Sequence, residues 1–368
     1  MLHFDRRLWR NFEWVMLGAV LIVTLLGLIN LYSSSFTRVS YGTSVFIKQT
    51  YYCLMGFGII SIIILLDYKI LSRWSYPLYA MIISMLLATL IIGDTVAGAQ
   101  RWLDLGFFRL QPSEPAKLIL IITLARLYSR KDTSAGLSFK ELLIPIGLTG
   151  IPFVLITKQP DLGTAILLGL IFVSMILFVK LKWSTLAALT GIALFLAPLA
   201  WRFALRPYQR QRILTLFNAG NDPLGTGFHI AQSKIAVGSG SIFGKGYLQG
   251  TQAHLDFLPE RHTDFAFSVW AEEWGFIGSI FFLACYFFIV LWGMNIARSA
   301  RDKFGVLLAF GIASLFFWQG FINIGMVLGL LPVVGMPLPL FSYGGSSLVT
   351  MLAGIGILMS IRMRRFMT

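Results

Sequence analysis

The sequence predicts an all-α integral membrane protein, a polytopic bundle of about ten transmembrane helices with one large extracytoplasmic loop. Of its 368 residues, 57% are hydrophobic and only 12% are charged, and the mean hydropathy is +0.77. Soluble domains carry about 25% charged residues. Apolar runs of about 20 residues, the length that crosses a hydrocarbon core of ~30 Å, recur along most of the chain.

Nine of these runs are long and apolar enough to span a bilayer. They cover residues 14–32, 45–66, 76–92, 142–156, 162–179, 183–201, 265–292, 304–331 and 340–361. A tenth run, residues 112–128, is apolar only after Lys117, so its start is expected to face protein or water. We predict one transmembrane domain over residues 1–368, with a large loop at about 202–264 between the seventh and eighth spans.

Lysine and arginine are divided unevenly between the two ends of these runs, and short cytoplasmic loops are normally enriched in both. One set of ends contains Arg6, Arg7, Arg10, Lys69, Arg73, Arg126, Arg130, Lys131, Lys140, Lys180, Lys182, Arg298, Arg301, Lys303, Arg362, Arg364 and Arg365. The opposite short loops contain only Arg38, Lys48, Arg101, Arg109 and Lys158. We therefore expect both termini in the cytoplasm and the loop at 202–264 outside it.

Composition and short motifs argue against several classes of protein. The net charge of +14 is dispersed between apolar runs, which favours attraction to anionic lipid headgroups over nucleic-acid binding. Cys53 and Cys285 lie inside apolar runs and predict neither a disulfide framework nor a thiolate zinc site. The chain has no Walker A sequence and no H-E-x-x-H motif, so ATP-driven pumping and a standard zinc site are unsupported.

Two irregular segments interrupt the helical pattern. The long loop mixes glycines with aromatic and aliphatic residues, unlike a disordered tract, and predicts short helices and turns lying on the bundle. Residues 330–347 contain Pro332, Pro337 and Pro339, which break a helix. Broken backbone at membrane depth is tolerated only where protein or a wet cavity satisfies its polar groups.

Four ionisable residues, Glu260, Arg261, His262 and Asp264, lie together just before a long apolar run. Charges are costly in hydrocarbon, so such a cluster indicates chemistry or docking at a membrane edge. Asp264 stands where an acidic side chain often caps a helix. A carboxylate facing a cavity could instead accept a proton from a substrate hydroxyl.

Other polar residues are candidates for a cavity facing the same side. Glu114 and Lys117 are spaced to pair on one helix face, as a structural or a functional ion pair. Arg101 and Trp102 lie in a short outer loop, which suits an anionic headgroup with tryptophan at the interface.

Two further polar segments add candidates to this list. Lys158 and Asp161 form a polar link between two spans. Arg210 and Arg212 suit phosphate recognition, or interfacial snorkelling.

Seven motifs, in order along residues 100–347, resemble the SEDS (shape, elongation, division, sporulation) family. They are Q-R-W-L-D-L-G, R-L-Q-P-S-E-P-A-K, K-Q-P-D-L-G-T, Y-Q-R-Q-R, D-P-L-G-T-G-F-H-I-A-Q-S-K-I-A-V-G-S-G, F-L-P-E-R-H-T-D-F and L-P-L-F-S-Y-G-G-S-S. The resemblance agrees with a fold of ten spans and implies a peptidoglycan glycosyltransferase of the bacterial inner membrane, acting on lipid II during cell elongation.

The resemblance also implies roles for particular residues and partners. Asp264 matches the essential aspartate of the family, with Arg101, Lys117, Arg210 or Arg212 offsetting diphosphate charge. It implies a sensitive Glu114–Lys117 pair, and it places Trp102 in the outer cavity, near which His262, Lys158 and Asp161 are also expected. It further implies a class B penicillin-binding protein as partner. No cofactor is required by the sequence, although a Mg or Mn ion on the substrate diphosphate fits the family.

The residues alone do not separate an enzyme from a transporter. A lipid-linked precursor flippase would carry important charges through the bundle to the cytoplasmic side. A non-catalytic scaffold of a wall-building complex would tolerate substitution of Asp264. An enzyme needs its charges near the outer face, where the topology places Arg101, Glu114, Lys158 and Asp264.

Overall fold

The protein is a bundle of long helices, which confirms the predicted fold class. The computed structural model describes residues 12–35, 39–96, 99–104, 106, 109–133, 136–217, 226–255, 257–258 and 260–365. Arg6, Arg7, Arg10 and Arg38, used above for the charge asymmetry, lie outside these residues. The orientation in the membrane and the division of the chain into one domain stay predictions.

Ten helices of the described residues correspond to the ten predicted runs. They are α1 (Trp14–Ser35), α2 (Val39–Leu65), α3 (Lys69–Ile92), α4 (Ser113–Ser129), α5 (Phe139–Lys158), α6 (Leu162–Val179), α7 (Trp183–Leu199), α11 (Ala266–Ser299), α12 (Lys303–Val327) and α13 (Gly345–Met363). Nine are apolar and long enough to cross a membrane, and α4 is the tenth, half-polar one. The last run begins at Gly345 rather than at 340, because residues 340–344 belong to the irregular segment.

The core of the bundle lies around α4, α12 and α13. Nearly every residue of α4 is buried, and α12 packs against α4, α6 and α11. Helix α13 packs against α2. Helix α7, in contrast, is exposed on almost all sides and passes into a π-helical turn, Ala200–Ala204, just after Pro198. Proline removes a backbone donor, a common cause of such irregular turns.

The large loop folds onto the bundle as predicted. It contains short helices α8 (Pro207–Phe217), α9 (Thr226–Ser239) and α10 (Thr251–His254), and α9 packs against α11. A three-stranded sheet was not predicted. Strands β1 (Asp94–Val96), β2 (Ala99–Asp104) and β3 (Arg109–Leu110) form an antiparallel sheet between α3 and α4.

Helix α11 is broken near its start, and the loop repairs the break. Gly275 has φ 64°, so carbonyl and amide groups on either side of it lose their helical partners. The amides of Phe276 and Ile277 donate to the carbonyls of Ser241 and Ile242 at 2.9 and 3.1 Å. Buried polar backbone must be paired, and a side chain at Gly275 would collide with the backbone of residue 244. The loop is therefore fixed against α11.

Two buried carboxylates reinforce this attachment. The Glu272 carboxylate accepts hydrogen bonds from Lys245 Nζ at 2.6 Å, from the Thr251 amide at 2.9 Å and from the Gln252 amide at 3.2 Å. Glu273 accepts a hydrogen bond from Ser33 Oγ of α1. Buried charges are normally paired or hydrogen-bonded in this way. Residues 241–252 of the loop are thus anchored beside the start of α11.

Candidate active site

Asp264 is presented by a tight turn immediately before α11. The amides of Thr263, Asp264 and Phe265 all point at the Glu260 carbonyl, at 3.2, 3.1 and 3.3 Å, and Glu260 itself has φ 51°. The residue that precedes the helix is Phe265, which makes no side-chain cap. The Asp264 carboxylate therefore does not cap α11, and the capping interpretation of its position is wrong.

The irregular segment between α12 and α13, residues 328–344, runs directly beside this carboxylate. A Cβ atom built on Gly335, whose φ is 71°, would lie 3.2 Å from Asp264 Oδ2. Asn323 of α12 joins the turn before α11 to the irregular segment, because its Nδ2 donates to the carbonyls of Asp264 at 2.9 Å and Met336 at 2.7 Å. Three distant parts of the sequence thus fix the position of one carboxyl group.

The environment raises the pKa of Asp264 from 3.8 to about 7. Burial is the largest cause, and repulsion from Glu260 adds to it. A hydrogen bond from Thr263 and the charges of Arg212 and Arg101 act in the opposite direction. Burial disfavours a charged carboxylate, whereas nearby cations favour it. Asp264 therefore changes protonation near neutral pH, where a general base is most effective.

A cavity of about 310 Å³ opens beside this region and is lined by three arginines, Arg101, Arg206 and Arg212. Arg101 is held by its own hydrogen bonds to the carbonyls of Gln159, at 3.1 Å, and Pro160. Among the described residues, no carboxylate lies within ion-pairing distance of these arginines. We call this cavity the basic pocket; its excess positive charge suits an anionic ligand.

The irregular segment joins the basic pocket to Asp264. Pro332, Val333 and Val334 line the pocket, and Arg212 Nη1 donates to the Val333 carbonyl at 3.1 Å. Gly335 follows next in sequence, and a side chain there would press on the carboxylate. The arginines and the aspartate therefore lie along a single stretch of backbone, at the end of the bundle where α3, α5, α7 and α12 end.

Glu114 and Lys117 pair as predicted, but away from the basic pocket. Lys117 Nζ lies 2.8 Å from Glu114 Oε2, and the two side chains are only 1% and 4% exposed. Lys117 Nζ also donates to Gln319 Oε1 at 3.0 Å, and Gln319 Nε2 donates to the Pro337 carbonyl at 2.9 Å. The pair thereby holds the irregular segment in place through Gln319, which favours a structural rather than a functional role for this ion pair.

The other predicted residues have different surroundings, and none of them lines the basic pocket. Asp161 caps α6 by accepting from the Thr164 amide at 3.2 Å, so its carboxylate is already used. His262 Nδ1 lies 3.0 Å from Ser34 Oγ, which ties the Asp264 turn to α1. Lys158 is exposed, Trp102 is half-buried, and neither lines the basic pocket.

Arg210 differs from its neighbour Arg212. Its Nη2 donates to the Arg202 carbonyl at 2.8 Å, and it does not line the pocket. The two arginines are two positions apart on helix α8 and point to different sides. Sequence reasoning selected both, and it missed Arg206, Asn323 and Gly335. A polar Asn323 within an apolar run, close to the proline-rich segment, was the available signal.

The chain matches known proteins over nearly its whole length. The family model of FtsW, RodA and SpoVE, described as "Cell cycle protein", matches residues 13–366. The Escherichia coli K12 peptidoglycan glycosyltransferase MrdB is 44% identical over 313 residues, covering 85% of this chain and 84% of that protein. The Treponema pallidum peptidoglycan glycosyltransferase RodA is 31% identical over 429 residues, with 96% and 98% coverage.

Solved structures have the same fold. A chain of a peptidoglycan synthase complex that coordinates polymerization and crosslinking superposes with a TM-score of 0.83 at 30% identity, covering 97% of this chain and 99% of that one. The Thermus thermophilus rod shape determining protein RodA superposes with a TM-score of 0.72 at 27% identity, with 97% and 98% coverage.

Proposed function

Because the chain belongs to the FtsW, RodA and SpoVE family and is a peptidoglycan glycosyltransferase, we propose that Asp264 is its general base. We propose in addition that the basic pocket receives the diphosphate of a lipid II donor. One observation carries the proposal: the raised-pKa carboxylate and the arginine pocket share the backbone of residues 332–335. A base and an anion site must both lie next to the carbon that is attacked.

The reaction can be written with these groups. Asp264 accepts the proton of the 4-hydroxyl of the acceptor N-acetylglucosamine. At the same time the oxygen of that hydroxyl forms a bond to C1 of the donor N-acetylmuramic acid. The bond between C1 and the diphosphate oxygen breaks, and polyprenyl diphosphate leaves with the electron pair. Arg101 and Arg212 face the charge that develops on the leaving group, and such positioned cations supply a large part of catalysis.

A divalent cation fits this arrangement only through the substrate. The described part of the chain holds no group of three or more His, Cys, Asp or Glu side chains suited to a metal. A Mg or Mn ion accompanying the donor would take most of its ligands from phosphate oxygens and water. It would add positive charge at the diphosphate.

The setting of the site follows from family and connectivity. The protein is a multi-pass protein of the bacterial inner membrane. We propose that both termini are cytoplasmic and that the site faces outward, as the lysine and arginine asymmetry predicts. The solved synthase complex supports a class B penicillin-binding protein as the partner that crosslinks the product during cell elongation.

The polar groups of the proposed site favour an enzyme over a flippase. Among the described residues, Asp264, Arg101, Arg206 and Arg212 gather at one end of the bundle, whereas the buried Glu114, Lys117 and Gln319 are hydrogen-bonded to one another. A flippase would instead need polar groups along the whole route of a charged headgroup. The scaffold interpretation makes a separate prediction, that substitution of Asp264 leaves function intact.

Glycan polymerisation from purified lipid II tests the proposal. The detergent-solubilised protein would be assayed together with a partner transpeptidase whose own enzymatic activity is disabled. Polymer formation by this mixture, and none by the partner alone, is the expected result. Failure of a folded, partner-bound protein to make polymer would contradict the proposal, and a liposome assay for lipid flipping would then test the transporter alternative.

The polymerisation rate should fall as the pH drops below about 7. Only the deprotonated carboxylate accepts a proton, so the rate should decrease about tenfold per pH unit once Asp264 is mostly protonated. Initial rates at saturating lipid II between about pH 5.5 and 9 would measure this. The profile of Glu260→Gln is the control, since removing the repelling charge should move the inflection to lower pH. A flat wild-type profile would contradict the assignment.

Substituting Gly335 by alanine should reduce activity more than stability. An alanine at a φ of 71° costs roughly 1–2 kcal/mol, and its Cβ would press on Asp264 Oδ2 at 3.2 Å. Gly106→Ala is the matched control, because Gly106 has φ 84° with open space around it. Both variants should lose similar thermal stability, but only Gly335→Ala should lose most of its polymerisation rate. Equal activity in the two variants would show that Gly335 does not position the carboxylate.

A further inference from the structure

A second cavity, of about 230 Å³, lies beside the basic pocket, between α6 and α12. Its walls are almost entirely apolar and include Leu170, Trp318 and Phe321. The one polar atom of the Trp318 ring, Nε1, is already bound to Ser174 Oγ at 2.7 Å. We call this cavity the apolar groove. It offers no hydrogen-bonding group that would retain a sugar or a peptide.

The groove and the basic pocket are adjacent and share part of their lining. Ile166, Pro332 and Val334 line both cavities. Ile166 is 39% exposed and Phe321 is 47% exposed, so the groove is open on the side where lipid surrounds the bundle. A ligand that spans the two cavities must be strongly anionic at one end and apolar at the other.

We propose that the apolar groove holds the first isoprene units of a polyprenyl diphosphate whose phosphates occupy the basic pocket, with Arg206 as a third cation. The inference rests on the proposed function for the identity of this lipid as the donor substrate and leaving group. It adds the route of the lipid chain and a binding role for Arg206, which neither the motifs nor the reaction requires.

Charge decides between this lipid and an ordinary phospholipid. Arginine binds phosphate oxygens through two parallel hydrogen bonds. The three arginines of the basic pocket form no ion pair with a carboxylate of the described residues and exceed what a single phosphate diester needs. A diphosphate carries more negative charge than a phosphate diester and therefore matches three cations better.

The groove should orient the lipid chain rather than increase the binding affinity of the polyprenyl diphosphate. Lipid tails are as apolar as the walls of the groove, so moving an isoprene unit from bilayer to groove gains little free energy. Holding the first units nevertheless fixes the direction of the diphosphate and, through it, the C1 carbon beside Asp264. Misplacement by about 1 Å can reduce a rate by about 100-fold.

Photo-crosslinking locates the chain without relying on turnover. The probe is a polyprenyl diphosphate with a diazirine in its second isoprene unit, added to the full-length protein in nanodiscs and mapped by peptide mass spectrometry. Adducts are expected on α6 and α12 beside the groove, at Leu170 or Phe321, and excess inorganic diphosphate should suppress them. A photoreactive phospholipid should not label these positions above its level elsewhere.

Variants sharpen this test. Leu170→Trp should fill the groove and lower the adduct yield there about tenfold or more, while Ile151→Trp, at a lipid-facing site of similar depth on α5, should label like wild type. Arg206→Gln should lower the yield at the same probe concentration. Adducts spread evenly over the outer helix faces, or equal labelling by the phospholipid, would overturn the proposal.

The outcome is separable from that of the proposed function. Loss of polymerisation in Asp264→Asn with groove labelling intact supports both. Polymerisation that depends on Asp264, without groove labelling, leaves the enzyme assignment standing and refutes the groove. Groove labelling in a protein that makes no polymer refutes the enzyme assignment and leaves a lipid-binding site.

Discussion

Replacing Asp264 with asparagine should lower glycan polymerisation by about 10²–10⁴-fold, the usual contribution of a general base. Asparagine has the same shape as aspartate, but its amide is a far poorer base. The backbone contacts of the residue do not involve the carboxylate, because its amide donates to the Glu260 carbonyl and its carbonyl accepts from Asn323. The turn should therefore keep its conformation.

The folded protein should tolerate this substitution. Burial raises the pKa of Asp264 above 3.8 to about 7, so the folded state binds the proton more tightly than the unfolded state does. The charged side chain thus opposes folding increasingly as the pH rises from about 4 to 7, and reaches its full effect above 7. Asparagine removes this charge, and the unfolding temperature at pH 8 should be equal to or above that of wild type.

Three readouts together decide the role of Asp264: polymer from lipid II, thermal unfolding in detergent, and co-purification with the partner transpeptidase. Glu260→Gln is the matched control, because it neutralises a carboxylate of the same turn and should keep polymerisation at neutral pH. An Asp264→Asn protein that polymerises within about tenfold of wild type would exclude general-base catalysis by this residue. Loss of partner binding would instead indicate a docking role.

The sequence predicted the membrane helices well because hydropathy reports on a local requirement. The backbone polar groups of each run must be hydrogen-bonded within its own helix. The apolar composition of the run therefore suffices to locate it. The break of α11 at Gly275 was not predictable in this way. It depends on backbone hydrogen bonds that the amides of Phe276 and Ile277 donate to the carbonyls of Ser241 and Ile242, more than 30 positions away. The three-stranded sheet between α3 and α4 was missed because its strands are only 3, 6 and 2 residues long.

Only part of the site was predicted, because its geometry also depends on contacts that the local sequence does not show. Residue type and position selected Asp264, Arg101 and Arg212, which the structure brings to one region. The same criteria selected Arg210 and Lys158, because a sequence does not show which side of a short helix or loop faces the cavity. Asp161 looked like a cavity carboxylate, and only the structure shows it bound to the Thr164 amide. Residue roles beyond these contacts stay predictions.

Replacing Lys117 with methionine should destabilise the protein by about 3–5 kcal/mol, the cost of leaving one partner of a buried ion pair alone. Glu114 would lose its cation in a site where it is 4% exposed, and Gln319 would lose the donor to its Oε1. Since Gln319 also holds the Pro337 carbonyl, the irregular segment should shift as well. Thermal unfolding in detergent and polymerisation should therefore both be strongly reduced.

The double variant Glu114→Gln/Lys117→Met separates a structural role from a catalytic one. Removing both charges should restore much of the stability, because replacement of a buried ion pair by neutral groups of similar volume is often tolerated. If the pair only supports residues 332–338, polymerisation should recover in parallel with the unfolding temperature. A stable double variant that remains inactive would show that Lys117 acts on the substrate. The chain of contacts from Lys117 through Gln319 to Pro337 favours parallel recovery.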